Sequence, residues 1–337
     1  MKKMITIKDI AKAANVSVTT VSFVLNDKGE KMGISNEVIK KVLKVAEDMK
    51  YKPNMIASSL RTGKTRSIGL IVEDISNQFF SELAKVIESE AIKLNYRVFY
   101  CSTGGDDVRA VELVNSLLQA NVDGFIITPT AGMKTTIDRL LELQRPVVLI
   151  DRYFEGQNVS HVVLDNFGGA QTATRYFLEK GFKKIAFVTN FSQLVQMQLR
   201  KKGYADTLKE LGLYDDSRIL DLEYHITEEE RIEKISDFLS NTPEIDAVLF
   251  GANYLLLAGL QSFKKIKIKI PADKAVISFD DHDSFRLHSP SITVLSQPIE
   301  EMGKKTVRLL MKQMNDKSNY LIEKEEKKGS LIIRESV

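Results

Sequence analysis

The feature that most constrains the fold of this chain is a repeated alternation of fully apolar, β-rich runs with helical runs. The first series of apolar runs lies at 68–72, 96–101, 124–128 and 146–150, with helices predicted over about 79–94, up to about 119, and near 135–143. The second series lies at 184–188, 247–250 and 275–279, again with helical runs between them. Apolar strands separated by helices are typical of parallel sheets covered on both faces. Two series predict two doubly wound α/β subdomains, with ligands expected in the cleft at the carboxyl ends of their strands.

Charge is distributed unevenly between this region and the residues before it. The first 66 residues contain 14 Lys and Arg against 6 Asp and Glu, a net charge of +8. The remaining 271 residues contain 34 against 39, a net charge of −5. A basic segment on an acidic body is typical of a domain that meets a polyanion, although a solvated lysine-rich face gives the same composition.

Several functional classes are disfavoured by composition and motifs. A lone cysteine, Cys101, excludes an intramolecular disulfide and a cysteine-cluster zinc site. The four histidines have no metal-ligand spacing, and Gly-Lys-Thr at 63–65 has Ser58 where a phosphate loop needs its first glycine. There is no Gly-x-Ser-x-Gly elbow. We therefore expect neither an enzyme nor a bound metal or cofactor.

The N-terminus and the hydropathy pattern bear on location. No stretch approaches the ~18 consecutive apolar residues of a membrane helix. Asp9 and Lys12 interrupt what would be the apolar region of a signal peptide. The expected location is the cytoplasm, with no membrane partner.

Three short helices are predicted within the first 50 residues. Thr6 is positioned to cap the first, Asn15 suits the turn after it, and Ser17 and Ser35 are positioned to cap the second and third. A Lys-Pro pair at 52–53 ends the third helix, and a short segment and a polar linker follow. A helix, a tight turn and a second helix are the layout of a helix-turn-helix, whose second helix enters the major groove of DNA.

The segments TIKDIAKAANVSVTTVSFVLN and YKPNMIASSLRTGKTRSIGLIVEDISNQFF resemble the LacI/GalR family of bacterial transcription regulators. The resemblance continues along the whole chain to VISFDD and LSQPIEEMG. It implies an all-α helix-turn-helix DNA-binding domain at 1–52, a hinge helix and linker at 53–66, and a periplasmic-binding-protein-like effector core at 67–337. Within the core we expect an N-subdomain at about 67–164 and 297–318 and a C-subdomain at about 165–296 and 319–337.

The family's DNA-contacting positions can be carried over one by one. Base-reading positions map onto Val18, Thr19 and Phe23. Phosphate contacts are expected from Ser17, Thr20, Ser22 and Asn26, and Thr6 and Asn54 complete the set. The family usually has Arg where Phe23 stands, and phenylalanine cannot make the bidentate contact of Arg with guanine. Phe23 therefore either changes the operator preference or packs inward.

The segment 54–60 resembles the family's hinge helix. The resemblance implies that Leu60, with Ala57 beside it, wedges into the minor groove and kinks the DNA, as apolar minor-groove wedges do. The alternative is that Leu60 packs on the core. At seven residues this helix is too short to be stable alone, which suits a switch.

The residues that such cores use to bind sugars recur here. Carboxylates, amides and guanidinium groups satisfy sugar hydroxyls, and aromatic rings cover the apolar sugar faces. The expected set is Asn77, Phe79, Phe80, Asp151, Arg152, Arg200, Tyr224, Asn253, Phe279, Asp280 and Gln297. Tyr254 stands where the family commonly has Asp, and Asn190-Phe191 replaces a usual Gly-Pro. Asp281 has the alternative of being a loop carboxylate.

The resulting prediction is a regulator, a homodimer or a tetramer, that binds operator DNA and responds to a sugar-like effector. The resemblance implies a repressor, and the residues leave open whether the effector loosens or tightens DNA binding. The alternative is a sugar-binding component of transport or signalling without a DNA role.

Overall fold

The computed structural model describes residues 5–51, 63–316 and 320–337, which fall into two compact units divided between residues 65 and 66. The first unit contains α1 (Ile7–Ala14), α2 (Val18–Leu25) and α3 (Asn36–Asp48). Ile10, Val21 and Val42 are fully buried where the three helices meet. Each of the three helices therefore contributes at least one apolar side chain to a small core.

The predicted helix starts of the first unit are confirmed. Thr6 caps α1 in a capping box with Asp9, Ser17 caps α2 and Ser35 caps α3. Asn15 follows α1 in the left-handed conformation, with φ of 53°, which asparagine tolerates better than most residues. The turn between α1 and α2 is therefore tight.

The second unit contains two six-stranded sheets, each covered by helices on both faces. The first sheet has the order β11-β5-β4-β3-β1-β2 and is entirely parallel. Its strands are β1 (Ser67–Val72), β2 (Arg97–Ser102), β3 (Gly124–Ile127), β4 (Val147–Ile150), β5 (Ser160–Leu164) and β11 (Lys324–Lys327). Its helices are α4 (Gln78–Lys93), α5 (Asp107–Gln119), α6 (Lys134–Glu142) and α12 (Ile299–Asn315). We call this half of the unit the first lobe.

The second lobe repeats the same order with its own strands. The sheet order is β12-β10-β9-β8-β6-β7, parallel except for the antiparallel pair of β10 and β12. Its strands are β6 (Ile185–Asn190), β7 (Ile219–Leu222), β8 (Ala247–Phe250), β9 (Ala275–Phe279), β10 (Thr293–Ser296) and β12 (Ser330–Ile332). Its helices are α7 (Asn166–Glu179), α8 (Val195–Lys209), α9 (Glu228–Asn241), α10 (Asn253–Ile266) and α11 (Asp283–Leu287).

Each sheet is the middle layer of its lobe. In the first lobe, Leu83 of α4 and Leu310 of α12 pack on one face, and Val114 of α5 packs on the other. The second lobe has the same arrangement, with Phe177 of α7 and Leu239 of α9 on opposite faces. The fully apolar strands are buried because helices cover both faces of each sheet. Polar residues therefore come where the strands end.

The expected boundary within the C-terminal segment is wrong. The whole of 319–337 was expected in the second lobe, but Lys324–Lys327 pairs in parallel with β5 in the first. Ion pairs favour this position, since Lys305 of α12 lies 2.7 Å from both Glu323 and Glu325. The chain consequently crosses between the lobes three times, between β5 and α7, between β10 and α12, and between β11 and β12.

Candidate functional site

The first unit presents the start of α2 as an uncharged, accessible surface. Val18 is 38% exposed, and Ser17 and Thr19 are also exposed. Ser17 Oγ accepts a hydrogen bond from the Thr20 backbone N at 3.0 Å. Ser17 thus has a structural role at the helix start in addition to its exposure, and so does Thr6, whose backbone N donates to Asp9 at 2.8 Å.

Phe23 is half-buried, and it is not among the side chains packed against the buried core of the first unit within the described residues. Ser22, beside it, is also half-buried, and its carbonyl accepts from Asn26 Nδ2 at 2.6 Å. The inward-packing alternative for Phe23 therefore loses support. Asn54, Ala57 and Leu60 lie outside the described residues.

In the second unit, a cavity of about 300 Å³ lies where the carboxyl ends of the two sheets face each other. Polar residues that directly follow β1, β4 and β9 reach it from both lobes. The predicted residues that line it are Asn77, Phe79, Phe80, Asp151, Arg152, Arg200, Tyr224, Asn253 and Asp280. The topology has therefore gathered residues that are up to 203 positions apart in sequence, from Asn77 to Asp280.

Two aspartates hold corresponding positions in the two lobes. Asp151 follows β4 with φ of 72°, and Asp280 follows β9 with φ of 65°. The backbone N of each donates to the neighbouring strand, Asp151 to Val162 at 3.1 Å and Asp280 to Leu295 at 3.0 Å. A left-handed conformation is uncommon for a residue other than glycine, and such strain concentrates at functional sites.

Arg152 is the centre of the first lobe's polar wall. It donates from Nη1 to Glu73 at 2.7 Å and from Nε to Asp151 at 2.9 Å. Burial disfavours its charge, but the two carboxylates outweigh burial and raise the pKa of the Arg152 guanidinium above its ordinary value. The group stays charged and its charge is balanced within the protein.

Arg200 is the centre of the opposite wall. It donates from Nε to Asn166 at 2.8 Å and from Nη1 to the Gly251 carbonyl at 2.6 Å, and its Nη1 lies 3.8 Å from Asp280. Burial raises the pKa of the Asp280 carboxyl, while Arg200 and the Gln297 amide oppose that effect. The Asp280 carboxyl is accordingly a weaker acid than an exposed aspartate.

The cavity lining does not include Phe279 or Gln297, which lie behind it. The fully buried Phe279 ring lies under the Arg200 guanidinium, 4.3 Å from ring centre to Cζ. Gln297 Nε2 donates to Asp280 at 2.7 Å. Both residues position a charged group of the lining, whereas direct contact with a ligand was expected of them. Asp281 forms a bidentate ion pair with Arg334, at 2.9 and 2.6 Å, so it holds the C-terminal segment.

Direct hydrogen bonds join the two lobes across the cleft. Asn77 and Asn253 exchange two amide hydrogen bonds, at 3.2 and 3.0 Å. Tyr224 donates to Glu73 at 2.7 Å, and burial together with Glu73 raises the pKa of the Tyr224 hydroxyl. A change in the angle between the lobes must break these bonds.

Sequence reasoning missed several lining residues. Glu73 directly follows β1, as Asp151 follows β4, and that position could have identified it. Thr130, Asn190 and Gln196 are buried, and each has a side-chain oxygen without a hydrogen-bond partner among the described residues. Buried polar atoms without partners are uncommon in folded proteins, which makes these oxygens candidates for contact with a ligand. The further missed residues are Gly105, Asp107, Ala131, Ser192, Gln193, Leu194, Met197, His225 and Ala252. Phe191 and Tyr254, which depart from the family pattern, line the cavity as well.

Across residues 5–51, 63–316 and 320–337, no three His, Cys, Asp or Glu side chains are grouped in a way that could hold a metal ion. Over the same ranges, the helices all fall short of the length and apolarity needed to span a membrane.

Comparison with known proteins identifies both units. Residues 6–54 match the family of bacterial regulatory proteins known as the lacI family, and residues 174–337 match the periplasmic binding protein-like domain. The HTH-type transcriptional regulator RegA of Clostridium saccharobutylicum is 31% identical over 336 residues, which cover 98% of each chain.

Two solved structures are similar as well. The Lac repressor dimer bound to operator and an anti-inducer covers 99% of both chains with a TM-score of 0.87 at 19% identity, a likeness of fold. A periplasmic binding protein/LacI transcriptional regulator from Alkaliphilus metalliredigens, complexed with D-xylulofuranose, is 27% identical with a TM-score of 0.71. It covers 80% of this chain and 98% of its own.

The chain combines a helix-turn-helix unit with a two-lobed core that contains a cleft. This combination defines the class of DNA-binding transcriptional regulators with a periplasmic-binding-protein-like domain. The chain belongs to the LacI family of bacterial regulatory proteins. The predicted family and fold class are confirmed.

Proposed function

We propose that this LacI-family regulator is a repressor whose operator affinity is set by a sugar or sugar derivative bound between the two lobes of its core. The observation that carries the proposal is the convergence of Asp151 and Asp280, each with a buried arginine beside it, on one cavity from opposite lobes. A ligand that contacts both walls can have different affinities for two arrangements of the lobes. The difference between these affinities sets how far the ligand changes the equilibrium between the two arrangements.

The proposed effector contacts follow the chemistry of the lining. Asp280 and Asp151 accept hydrogen bonds from sugar hydroxyls, and Asn253 and Asn77 can donate as well as accept. Phe79, Phe80 and Tyr224 supply the apolar surface. Arg152 and Arg200 fix the two aspartates, and Phe279 and Gln297 support Arg200 and Asp280 in turn. The sugar complex of the Alkaliphilus regulator supports this ligand class.

The proposed DNA contacts centre on α2. Val18, Thr19 and Phe23 read bases, while Ser17, Thr20, Ser22 and Asn26 contact phosphates together with Thr6 at the start of α1. Because α2 contains no charged residue, base reading depends on hydroxyl and apolar groups. The proposed hinge contacts from Asn54, Ala57 and Leu60 rest on the sequence.

Partners and location follow from this role. We propose a homodimer on a pseudo-palindromic operator, as two-fold operators require two-fold proteins. Operator binding places the protein in the cytoplasm, and it acts by binding, with no residue assigned to catalysis. The match of residues 6–54 to DNA-binding regulators disfavours the alternative of a sugar-transport component.

The test is operator binding measured with and without sugars. In vitro selection with the full-length protein would supply an operator, and fluorescence anisotropy would then measure its affinity during titration with D-ribose, D-xylulose, D-glucose and cellobiose. We expect one sugar to change the operator Kd by 5- to 150-fold, the usual range of coupling between two sites. A sugar that binds the wild type and leaves the operator Kd unchanged would contradict the proposal.

A further inference from the structure

The charges that line the cleft point to the ionic state of the effector. Four carboxylates line the cavity, those of Glu73, Asp107, Asp151 and Asp280, against the two guanidinium groups of Arg152 and Arg200. The described lining contains no lysine. An anion entering the cavity therefore meets a net negative wall in a partly desolvated space, where charge repulsion is strong.

The two guanidinium groups are already engaged within the protein. Arg152 is held between Glu73 and Asp151, at 2.7 and 2.9 Å. Arg200 uses Nη1 on the Gly251 carbonyl, with Asp280 3.8 Å away. A phosphate group would have to compete with these internal partners, and each carboxylate it displaced would remain buried and unpaired at high cost.

Helix starts are the other common source of anion binding, and side chains already use one backbone N–H group at each of two of them. Asn77 Oδ1 accepts from the Phe79 backbone N at 3.0 Å and so caps α4, and Asn253 Oδ1 accepts from the Tyr254 backbone N at 2.7 Å at the start of α10. Backbone N–H groups at a helix start are what usually bind phosphate. A third helix, α8, begins at Val195 beside the cavity without a side-chain cap. Among the three helix starts at the cavity, that of α8 is therefore the one most open to an anion.

The groups that lack partners suit neutral hydroxyls. The unpaired buried oxygens of Thr130, Asn190 and Gln196 belong to a hydroxyl and two amides. Amide oxygens need donors, and a hydroxyl group supplies one without bringing charge. An uncharged polyol offers hydroxyl donors of this kind without competing for either guanidinium group.

We infer that the cleft binds an uncharged sugar or polyol and excludes its phosphorylated and carboxylated derivatives. This inference rests on the proposed function and narrows its ligand class. Glu73 is the residue that enforces the exclusion, because it accepts from Arg152 Nη1, as Asp151 does from Nε, and also accepts from Tyr224.

The first arm of the test compares matched ligands on the full-length wild-type protein. Isothermal titration calorimetry would be run with D-ribose and ribose 5-phosphate, D-glucose and glucose 6-phosphate, and D-fructose and fructose 6-phosphate. We expect any pair that binds to prefer its uncharged member by at least about tenfold, equivalent to 1.4 kcal/mol. A phosphate ester that binds more tightly than its parent sugar would overturn the inference.

The second arm does not depend on knowing the sugar. Millimolar inorganic phosphate should leave the melting temperature of the wild type unchanged and raise that of Glu73→Gln, since Arg152 then keeps Asp151 as its one carboxylate partner while the amide still accepts from Tyr224. Asp107→Asn is the matched control, because it removes one lining charge that is not paired with an arginine and keeps the acceptor for Gly132 N. It should gain no phosphate binding.

The two arms separate the failure of the inference from that of the proposed function. If no sugar binds but Glu73→Gln gains phosphate, the sugar proposal fails and the charge argument stands. If phosphate stabilises the wild type, or stabilises neither the wild type nor Glu73→Gln, the pairing of Arg152 does not control anion binding and the inference falls.

Discussion

At the scale of single residues, the two left-handed aspartates determine where the polar groups of the cleft lie. Such a conformation costs of order 1–3 kcal/mol, and the strand hydrogen bonds of Asp151 and Asp280 offset it. Asparagine tolerates the same conformation, whereas β-branched residues do not. Substitution of Asp280 by asparagine therefore isolates its charge from its geometry.

We expect Asp280→Asn to remain folded and to bind effector about 10- to 100-fold more weakly, through loss of a charged hydrogen-bond acceptor. Its stability should also respond differently to pH. Because the folded-state pKa of Asp280 is raised, the folded protein retains a proton that the unfolded chain has lost, and the contribution of Asp280 to stability falls as pH rises. In thermal unfolding from pH 3.5 to 7, the melting temperature of Asp280→Asn should therefore increase relative to that of the wild type as pH rises. Parallel pH profiles would contradict the assignment.

His161 should produce the opposite pH dependence. Burial, with Lys324 nearby, lowers the pKa of its imidazole from 6.5 to about 4. Between those values the unfolded chain binds a proton that the folded protein does not, so stability is lost as pH falls from about 6.5 toward 4. His161→Phe keeps a ring to stack on Tyr153, now 4.4 Å from ring centre to ring centre, and removes the titration. The difference between the melting temperatures at pH 7.5 and pH 5 should be smaller in this variant than in the wild type.

Phe23 provides a prediction on the DNA side. Since it lies outside the core packing of the first unit, Phe23→Arg should leave the melting temperature within about 2 °C and change base preference at one symmetric operator position, in favour of guanine. Selection from a random DNA library would measure this, with Phe23→Leu as an uncharged control. A selected consensus identical to that of the wild type would mean that Phe23 does not face the bases.

At the scale of elements, β2 forms an exposed edge of the first sheet. Phe99 and Tyr100 on this strand are 48% and 40% exposed. An apolar edge strand is a template for pairing or packing with another chain, and proteins usually protect such an edge. We therefore expect β2 to lie in the proposed homodimer interface.

Phe99→Lys should accordingly shift the protein toward monomers. Light scattering coupled to size-exclusion chromatography at micromolar concentration would measure the shift, and operator affinity should fall with it. Leu211→Lys is the matched control, since Leu211 is 61% exposed in the second lobe. A stable dimer in Phe99→Lys would place the interface elsewhere.

The strands and helices of the two lobes differ in how well the sequence predicts them. Central strands such as β3 and β8 are predictable because burial on both faces requires an unbroken apolar run. The edge strand β11, Lys-Glu-Glu-Lys, has no such pattern, because its place depends on β5 and on ion pairs from α12. The site follows the same rule. Polar residues that directly follow apolar strands carry a signal in the sequence, which identified Asp151 and could have identified Glu73, whereas Gln196 is brought in by the packing of a helix.

At the scale of the whole molecule, a basic DNA-binding unit and an acidic core are connected through residues 53–66. The net charges of +8 for the first 66 residues and −5 for the rest favour DNA contact by the first part, because phosphates repel the second. Coupling between effector and operator must pass through this connection. A substitution in this connection can therefore show whether it contributes to binding one particular operator or to binding DNA of any sequence.

Leu60→Ala should weaken binding to the selected operator at least about tenfold and change non-specific DNA binding little, because an apolar wedge acts by kinking one particular base step. Fluorescence anisotropy on operator and scrambled duplexes, at one fixed salt concentration, would measure both. Leu43→Ala, at an exposed position of α3, serves as the control. Equal losses on the two duplexes would refute the wedge.

The three crossings between the lobes have a consequence for the kind of information the core can pass on. Three separate connections restrain the two lobes more than a single connection would, and we expect a hinge rotation to be the main relative motion left to them. Ligands that contact the walls differently are then distinguished by the angle between the two lobes that each one stabilises. We expect uncharged ligands that fit the cleft to act as full or partial effectors according to the lobe angle that each one stabilises, and a ligand that binds without changing that angle to act as a competitive antagonist.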